Sequence, residues 1–567
     1  MLQRNIFSHF WLNAWAGFLA LGWLLPNHYY PWVAFHTDAW ISSLFAIAAI
    51  VVFTRVKDNV QWHRLPVVVG LVIVLPFLQY YAGLIPFAGQ AWTAGAYLLG
   101  LLLAMLMGAQ WEKVQPEQAL DGLLVAIGVA SIVSVGLQLQ QWLQLDGLEI
   151  WTIGMAGSRP FANLGQPNQL ATLLIWGLIA CAWGVYKGSI RQPIALLMSI
   201  FLIFGVVLTQ SRTAWICVAL GIVAAWGWRD LWRRKSTPWV ISALAAYFFI
   251  MVAALPYLTE WLVPGVQLRP VEAASGQLRL QAYWLFIDAA FEKPLWGYGW
   301  SQLPKAQILL AESHPKLTGF FIHSHNLFLD LILWCGIPIG LTLSSILVLW
   351  LTNSLRQVRS IPDALLMFFL IAIAVHAMLE LPLHYAYFLL PTGIVVGVMN
   401  VRLKKHVVSV TPLWSVGILL LAGITLLSAI VRDYMMVEAN FLAFRFEVAR
   451  VGTQPVGTPP NVLVLTHLRE FIKMAREQPH SKMEEEEIEW MKSVSYQFPS
   501  RSNLFNVAKA LALNGRSAEA QDWLDKIRRT MSDVEYSELA EVWKGQVAQY
   551  PVLTTVNWRI QSSSSSN

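Results

Sequence analysis

The sequence is poor in charge. Only 13% of its 567 residues are Asp, Glu, Lys or Arg, whereas 56% are hydrophobic. A soluble protein carries roughly twice that charged fraction, so a soluble globular fold is excluded. Several apolar runs reach or approach the ~20 residues that a helix needs to cross a bilayer. Because these runs do not alternate polar and apolar residues, a membrane β-barrel is not expected either. The composition therefore predicts an all-α polytopic membrane protein.

Cysteine is also scarce. The three cysteines, Cys181, Cys217 and Cys335, all lie in apolar runs. Their spacing suits neither a thiolate metal site nor a disulfide framework, so we expect them to be small buried core residues. No small-residue cleavage site follows the first apolar run, and we interpret that run as a retained membrane span.

The apolar runs centre near residues 18, 47, 74, 100, 132, 178, 201, 220, 248, 338, 371, 393 and 421. They predict about thirteen transmembrane helices. Lys and Arg concentrate in alternate loops, which places those loops and the N-terminus in the cytoplasm. The short loops on the opposite side hold only Arg159 and Arg212. Two long regions then fall outside, namely residues 259–325 and the tail from about residue 433.

The C-terminal tail differs in composition from the rest of the chain. We expect residues 1–432 to form the transmembrane domain and residues 433–567 to form a soluble α-helical domain. Gly515 separates two amphipathic halves, which predicts a helix–turn–helix of the tetratricopeptide kind. A turn-rich break is predicted at residues 451–460 and a frayed polar run at residues 562–566.

The run His-Ser-His-Asn, His323 to Asn326, ends the long polar loop just before the apolar segment LFLDLILWCGIPIG. On an extended segment, His323 and His325 would lie on the same side of the backbone. An imidazole ordinarily titrates near pH ~6.5, which suits a general base. A metal site with His314 or Glu312 as a third ligand is the alternative. No HExxH pattern or i, i+4 pairing supports zinc, so we expect no metal.

Arginines on the outer side are candidate anion ligands. Arg212 lies in TQSRTAW between two apolar runs, and Arg279 lies in SGQLRLQAYW, which leads into KPLWGYGW (Lys293 to Trp300). Charges at a membrane boundary usually face a cavity or a partner, and guanidinium groups bind phosphate in bidentate fashion. The alternative for Arg212 is a side chain that snorkels to the interface or pairs with a carboxylate. The Arg279 segment has the alternative of an interfacial helix with an aromatic anchor.

Two further outer segments are polar. GMAGSRPFANLGQPNQLAT (residues 154–172) carries the amides of Asn163, Gln166, Asn168 and Gln169, which predicts an ordered loop. HAMLELPLHYAYFLLP (residues 376–391) carries Glu380, His384, Tyr385 and Tyr387 at the outer end of a pair of spans. The alternative for the second segment is an interfacial aromatic belt.

These motifs resemble a known superfamily. The His-Ser-His-Asn run with its downstream glycines, SGQLRLQAYW with KPLWGYGW, and TQSRTAW resemble the ordered motifs of bacterial O-antigen ligases and polymerases. The aromatic position of the second motif falls on Tyr283, or on Trp284 if shifted by one. RPFANLGQPNQLAT and LELPLHYAYFLLP look like the PglL-type protein O-oligosaccharyltransferases, although Gln169 stands where that branch often has His.

The resemblance implies a GT-C-like ligase fold and an inverting, metal-independent transfer without a cofactor. The donor would be an oligosaccharide on undecaprenyl pyrophosphate, and the acceptor a Ser or Thr of an exported protein such as a pilin. The implied location is the bacterial inner membrane, with the site and the C-terminal domain in the periplasm. The lipid bilayer is a partner, and nucleic acid is not.

The resemblance also implies roles for single residues. Arg212 and Arg279 match the motif arginines that would bind pyrophosphate, and Arg159 is a third candidate. His325 is the predicted base and His323 the next candidate. The predicted substrate-binding residues are Gln166, Asn168, Asn326, Glu380 and Tyr385.

Two other functions remain open. The first is an O-antigen ligase acting on lipid A core, or an O-antigen polymerase. The second is a transporter of polyprenyl-linked sugar, although transporters usually show internal repeats and broken helices that are not evident in this sequence. The GQPNQLAT motif and the C-terminal domain favour protein as the acceptor.

Overall fold

The computed structural model of the chain describes residues 6–56, 58–147, 150–154, 159–265, 275–452 and 457–558. The predicted frayed run at residues 562–566 and part of the predicted break at residues 451–460 lie outside this range. Almost all regular structure is helical, as predicted. The helices are α1 (His9–Leu21), α2 (Phe35–Arg55), α3 (Arg64–Val72), α4 (Leu75–Tyr81), α5 (Ala88–Val114), α6 (Gln118–Trp142), α7 (Pro167–Lys187), α8 (Gln192–Leu208), α9 (Arg212–Gly227), α10 (Thr237–Leu262), α11 (Ser275–Glu292), α12 (Leu303–Leu310), α13 (Leu327–Cys335), α14 (Ile337–Leu355), α15 (Ile361–Ala377), α16 (Ala386–Arg402), α17 (Leu413–Ala449), α18 (Thr466–Arg476), α19 (Glu485–Gln497), α20 (Arg501–Leu513), α21 (Ser517–Thr530) and α22 (Asp533–Val547).

A two-stranded antiparallel sheet interrupts the helices. Strand β1 (Val60–His63) pairs with β2 (Val407–Thr411). The Trp62 indole N–H also donates a hydrogen bond of 2.8 Å to the Thr411 hydroxyl. The sequence analysis placed no strand here, because the strands are short and their partners are distant in the chain. The alternation of Val with Ser and Thr in β2 suits a half-exposed strand.

Eight helical segments are long and apolar enough to cross a membrane, counted over the described residues. Four shorter apolar helices, α8, α9, α15 and α16, accompany them. The prediction of a polytopic helical membrane protein is therefore confirmed, whereas the number thirteen stays a prediction. The candidate spans are Phe35–Arg55, Arg64–Tyr81, Ala88–Val114, Gln118–Trp142, Pro167–Lys187, Thr237–Leu262, Ile337–Leu355 and Leu413–Ala449.

The chain divides into two compact units. The first, called the span unit below, comprises Met1–Val74, Gly95–Val271 and Ser345–Val431. The second, called the loop unit, comprises Leu75–Ala94, Glu272–Ser344 and Arg432–Asn567. The loop unit thus joins most of the predicted outer loop to the C-terminal helices.

Close helix packing characterises the span unit. A Cβ atom on Gly397 of α16 would lie 2.1 Å from the Met105 carbonyl oxygen of α5. In the same unit, the Trp176 ring of α7 stacks on Phe369 of α15 with centroids 3.8 Å apart. Membrane helices gain little from hydrophobicity against lipid, so small residues that permit close backbone approach favour their association.

The core of the loop unit is built from the C-terminal helices together with α12. Leu511, Leu524 and Trp543 are buried there, and Ile308 of α12 belongs to the same cluster. Gly515, with φ +79°, forms the turn between α20 and α21. The predicted helix–turn–helix is therefore present, and its likeness to a tetratricopeptide unit stays a prediction.

The segment that precedes the histidines is tied to the end of α21. The Leu317 N–H donates to the Arg529 carbonyl at 3.0 Å, and the Gly319 N–H donates to the Thr530 carbonyl at 2.9 Å. Lys316 also forms a 2.6 Å ion pair with Asp533. The C-terminal helices therefore hold the loop that leads to His323.

Asp433 sets the start of α18. One oxygen of this fully buried carboxylate accepts the N–H groups of Leu463, Val464 and Leu465 at 2.8, 2.6 and 3.1 Å. The run NVLVLTHLREFIKMARE, which starts at Asn461, has a helical pattern throughout, but the helix begins at Thr466. The preceding N–H groups bond to the distant carboxylate, which acts as an external cap.

We predict that Asp433→Ala destabilises the contact between α17 and the start of α18 by about 3–5 kcal/mol, because each buried donor left without a partner costs about 1–3 kcal/mol. Hydrogen exchange at residues 463–465 should then accelerate by at least ~100-fold. Arg432→Ala is the control. This half-exposed side chain bonds to the other oxygen of the Asp433 carboxylate, which is not the oxygen that accepts the three N–H groups. Unchanged exchange in Asp433→Ala would contradict the capping role.

A second prediction concerns pH and His467 of α18. Burial lowers the pKa of His467 from its ordinary 6.5 to about 3. Below pH 6.5 the unfolded chain therefore binds a proton at this residue, whereas the folded chain does not. The free energy of unfolding then falls by about 1.4 kcal/mol per pH unit below that point. We expect the unfolding midpoint of the C-terminal helices to drop between pH 7 and pH 5. The drop should be smaller in His467→Gln, and equal drops in both proteins would refute the assignment.

Candidate active site

Asn326 fixes where α13 begins. Its side-chain oxygen accepts the N–H groups of Phe328 and Leu329, each at 3.1 Å. Asn is among the best N-cap residues because its oxygen satisfies donors that the first helical turn leaves open. The residue predicted to bind substrate is thus also the cap that holds the histidine run against the helix.

His325 has a left-handed backbone, with φ +60°. Such a conformation is unfavourable for a residue with a side chain and persists only where the surroundings impose it. Here the Ser324 N–H donates to an Asp330 carboxylate oxygen at 2.8 Å, and the Ser324 hydroxyl donates to the Asn326 carbonyl at 3.0 Å. The run is therefore a tight turn, and the extended segment considered from the sequence is not found.

The two histidines differ in exposure. His323 is buried, with Nδ1 3.9 Å from an Asp330 oxygen, and its ring meets Trp334 edge to face at 6.2 Å. His325 is half-buried, and its ring stands perpendicular to Phe321 at 5.9 Å. Of the two, His325 is the one accessible to a substrate.

Helix α11 supports the histidine turn. The Tyr283 hydroxyl donates to the His325 carbonyl at 3.4 Å. Arg279 lies four residues earlier and so occupies the same helix face. Trp284, by contrast, is largely exposed. Of the two candidates for the aromatic position of the arginine motif, Tyr283 is the one that contacts the histidine turn.

The turn Lys293–Trp300 packs against the C-terminal end of α13 through backbone hydrogen bonds. The Tyr298 N–H donates to the Leu333 carbonyl, and the Ile337 N–H donates to the Pro294 carbonyl, both at 2.7 Å. Gly297 has φ +66°, and a Cβ atom there would lie 2.4 Å from the Leu333 oxygen. The glycines of this motif are thus needed for backbone-to-backbone contact.

Tyr298 is not a candidate base. Burial, with a smaller effect of the Glu292 carboxylate, raises the pKa of its hydroxyl to about 12. The Lys293 ammonium lies 4.8 Å from the centre of the ring, in a cation–π contact. Both observations indicate a structural aromatic residue.

Two buried glutamines that the sequence analysis missed also hold the segments around the histidine turn. Gln79 donates to the Trp334 carbonyl at 2.7 Å and accepts the Trp300 N–H at 2.9 Å. Gln307 donates to the Gly319 carbonyl at 2.8 Å and accepts the Phe321 N–H at 2.9 Å. The available signal was an isolated amide within an apolar run, because a buried amide requires partners.

Three predicted residues of the span unit form one hydrogen-bonded chain. Arg159 donates through Nη2 to the Asn168 side-chain oxygen at 3.3 Å, and the Asn168 amide donates to Glu380 at 3.0 Å. Arg159 also donates through Nε to the Thr209 carbonyl at 2.8 Å. Thr209 lies in the short turn that ends at Arg212, so the turn carrying Arg212 is held by Arg159.

Gln169 and the tyrosines lie beside this chain. The Tyr387 hydroxyl donates to the Gln169 side-chain oxygen at 2.9 Å, and Tyr385 packs on Tyr387 with ring centroids 5.1 Å apart. Gln166 occupies the N-cap position of α7 without a side-chain cap bond. Gln169, which stands where the resembled branch often has His, therefore pairs with a buried tyrosine.

Asn163 orders the preceding loop. Its amide donates to the carbonyls of Leu24 and Trp151 at 2.7 and 2.8 Å. These bonds tie the described part of the predicted segment to the chain around it, while residues 155–158 of that segment lie outside the described range.

Asp38 is a second feature that the sequence analysis missed. Its carboxylate accepts the Ala386 N–H at 2.7 Å and the Tyr97 hydroxyl at 2.5 Å. It caps α16 directly after Tyr385, and so helps to hold that predicted residue in place.

The predicted site residues fall into both units. The span unit contains Arg159, Gln166, Asn168, Arg212, Glu380 and Tyr385, and the loop unit contains Arg279, His323, His325 and Asn326.

Three family models match the chain. The model described as O-antigen ligase matches residues 197–344, which carry Arg212, Arg279 and the histidine turn. The model described as protein glycosylation ligase matches residues 160–183. By these matches the chain is similar to O-antigen ligases and to protein glycosylation ligases. A third model, described as the C-terminal part of a virulence factor membrane-bound polymerase, matches residues 364–543.

Two curated proteins of Acinetobacter baylyi are similar to this chain. A general O-oligosaccharyltransferase is 27% identical over 545 residues, which cover 92% of this chain and 94% of that protein. A ComP-specific O-oligosaccharyltransferase is 28% identical over 409 residues, which cover 69% of this chain and 71% of that protein. The predicted family and the predicted enzyme class, a glycosyltransferase, are confirmed.

We predict that Gln307→Leu loosens the histidine turn of the ligase without unfolding the C-terminal helices, because it leaves a buried N–H and a buried carbonyl without a partner, at about 1–3 kcal/mol each. Hydrogen exchange at Phe321 should accelerate by at least ~10-fold. Gln302→Leu is the matched control, since its amide donates to Gln497 and to the Trp300 carbonyl and bonds to neither Gly319 nor Phe321. Equal exchange at Phe321 in the two variants would contradict the claim that Gln307 holds the segment before the histidine turn.

Proposed function

We propose that this ligase transfers a preassembled oligosaccharide from undecaprenyl pyrophosphate to Ser or Thr hydroxyls of exported proteins such as a pilin. The observation that carries the proposal is the similarity over almost the whole chain to a protein named general O-oligosaccharyltransferase. The match of residues 160–183 to protein glycosylation ligases supports protein as the acceptor.

Arg212, Arg279 and Arg159 are the proposed ligands of the pyrophosphate. Negative charge develops on this leaving group, and positioned guanidinium groups stabilise it without a metal ion. Arg212 supports this role in two ways. Its side chain is exposed, and it is the first residue of α9, where the helix N-terminus also attracts anions. The bonds of Arg159 to Thr209 and Asn168 fix the turn that presents Arg212.

His325 is the proposed base. Its imidazole takes the proton of the acceptor hydroxyl while that oxygen attacks the anomeric carbon. The bond from that carbon to the phosphate oxygen breaks, and undecaprenyl pyrophosphate leaves with the electron pair. One displacement inverts the anomeric centre and needs no covalent intermediate. His323 is the second candidate, and its burial beside Asp330 makes it better suited to holding the turn.

Gln166, Asn168, Glu380, Tyr385 and Asn326 are the proposed substrate contacts. Asn168 and Glu380 support this role through their shared hydrogen bond, which presents a carboxylate and an amide together. Such pairs suit sugar hydroxyls, which both donate and accept hydrogen bonds. We expect no cofactor and no metal at either group of residues.

The proposed location is the bacterial inner membrane with a cytoplasmic N-terminus. Residues 1–432 are the proposed transmembrane domain, with its outer loop at residues 259–325. Residues 433–567 are the proposed periplasmic domain. The placement of Lys and Arg supports this orientation, and it brings the histidine turn to the side where exported acceptors are found.

A polymerase is the second candidate function. The match of residues 364–543 to a polymerase C-terminal model favours it. A polymerase would use the same donor and the same base, but its acceptor would be another glycan chain. The acceptor is therefore what the experiment has to identify.

The test combines the purified ligase with a lipid-linked oligosaccharide and an exported pilin in excess chelator. We expect intact mass spectrometry to show the pilin heavier by one oligosaccharide, and no such gain with His325→Ala. Lipid A core and free glycan acceptors are the comparison arms. Transfer to these acceptors but not to the pilin would replace the proposed function by an O-antigen ligase or a polymerase.

We further predict that Arg279→Lys weakens use of the donor. Lysine keeps the charge but cannot form the bidentate contact, and the loss of one charged hydrogen bond costs about 1.5–3 kcal/mol. We expect kcat/KM for the donor to fall by about 10–100-fold, while KM for the acceptor stays constant. Arg469→Lys, the same exchange on α18, is the control. An unchanged donor kcat/KM would remove Arg279 from the pyrophosphate site.

A further inference from the structure

Helix α11 has a second face that is apolar and exposed. Leu280, Trp284 and Phe291 are 58%, 61% and 68% exposed, and Ile287 between them is 36% exposed. Their spacing of four, three and four residues places them on one side of the helix. The side facing the protein is equally apolar and is buried, through Ala282, Leu285, Phe286, Ala289 and Ala290.

The exposed stripe continues beyond the end of the helix. Leu295 and Trp296 are 63% and 69% exposed. Soluble proteins rarely expose a contiguous apolar patch of this kind, and where they do the patch usually has a partner. Leu280, Trp284, Ile287, Phe291, Leu295 and Trp296 are called the α11 stripe below.

We propose that the α11 stripe lies in the interfacial layer of the outer leaflet, so that α11 rests on the bilayer as a monotopic helix. Interfacial helices place Trp, Phe and Leu on the lipid side, which is the composition of this stripe. The inference goes beyond the proposed transfer reaction and does not depend on it.

The C-terminal end of α11 is fastened to the ends of two candidate spans. The Pro294 carbonyl accepts the N–H of Ile337, the first residue of the span Ile337–Leu355. Gln79, near the end of the span Arg64–Tyr81, accepts the Trp300 N–H. Leu295 and Trp296 lie between these two attachment points, and must therefore be near the depth at which the spans meet the membrane surface.

The two spans also carry exposed apolar residues near these attachment points. Leu341 of α14 is 50% exposed, and Leu78 and Tyr81 of α4 are 58% and 83% exposed. In a membrane span, exposed apolar side chains of this kind contact acyl chains. Because these residues belong to the same compact unit as α11, one lipid surface can cover both.

This arrangement would give a defined depth to the flank of α11 that carries Arg279 and Tyr283, beside the stripe. Tyr283 contacts the histidine turn, and Arg279 lies on the same face one turn earlier. A helix lying in the headgroup layer holds Arg279 at the level of lipid phosphates. The lipid contact would thus set the height at which a lipid-borne anion meets the turn.

The test places a nitroxide label on the full-length chain in nanodiscs of phosphatidylethanolamine and phosphatidylglycerol. Three variants, Trp284→Cys, Ile287→Cys and Phe291→Cys, sample the stripe. Val534→Cys is the matched control, since Val534 is an apolar residue of α22 that is 69% exposed. The native cysteines are buried, and the unmodified chain gives the background labelling. Collision rates with oxygen and with a water-soluble nickel chelate are measured at each position.

We expect the ratio of oxygen to nickel collisions to be at least several-fold higher at the three stripe positions than at Val534. Equal ratios would mean that the stripe faces water and would overturn the proposal. Low collision rates with both reagents would mean that a protein surface, such as a second copy of the chain, covers the stripe, and would overturn it as well. Oligosaccharide transfer does not enter these measurements, so failure here leaves the proposed function intact.

Discussion

The turn His323–Asn326 depends on the capping of α13. The left-handed backbone at His325 is unfavourable in isolation, and it is held because Asn326 caps the helix while Ser324 bonds to Asp330 and to the Asn326 carbonyl. A polar turn of this kind at the mouth of an apolar helix has few alternative arrangements, because each displaced group would lose a buried partner. The backbone that carries His325 is therefore held in place by its own surroundings. Preorganisation of this kind is what the role proposed for His325 requires.

The loop unit supplies the frame around that turn. Tyr283 holds it from α11, and Gln307 holds the segment that leads into it. The C-terminal helices anchor the preceding segment through the backbone of Arg529 and Thr530. The C-terminal region is thus part of the scaffold of the site, and any role in docking acceptors comes in addition to this structural one.

The sequence predicted the features that are local in the chain. Low charge and long apolar runs indicated a helical membrane protein, and the motifs around Arg212, Arg279 and His325 indicated the family. The missed features are pairings between distant positions. Gln79 bonds to Trp334, 255 residues away, and β1 pairs with a strand about 350 residues later, as the 349-residue separation of Trp62 and Thr411 shows. No local pattern encodes such partners. Asp433 likewise moved the start of α18, because a remote carboxylate took up the N–H groups that a predicted helix would have used.

The most direct measurement compares single-turnover transfer rates of the wild-type ligase, His325→Ala and His323→Ala at saturating donor. If His325 is the base, its replacement slows the chemical step by about 10²–10⁴-fold, while the protein still inserts and retains the exchange protection of its C-terminal helices. His323→Ala, which alters the support of the turn, should be slowed less. Wild-type turnover by a folded His325→Ala protein would contradict the assignment of His325 as the proton acceptor.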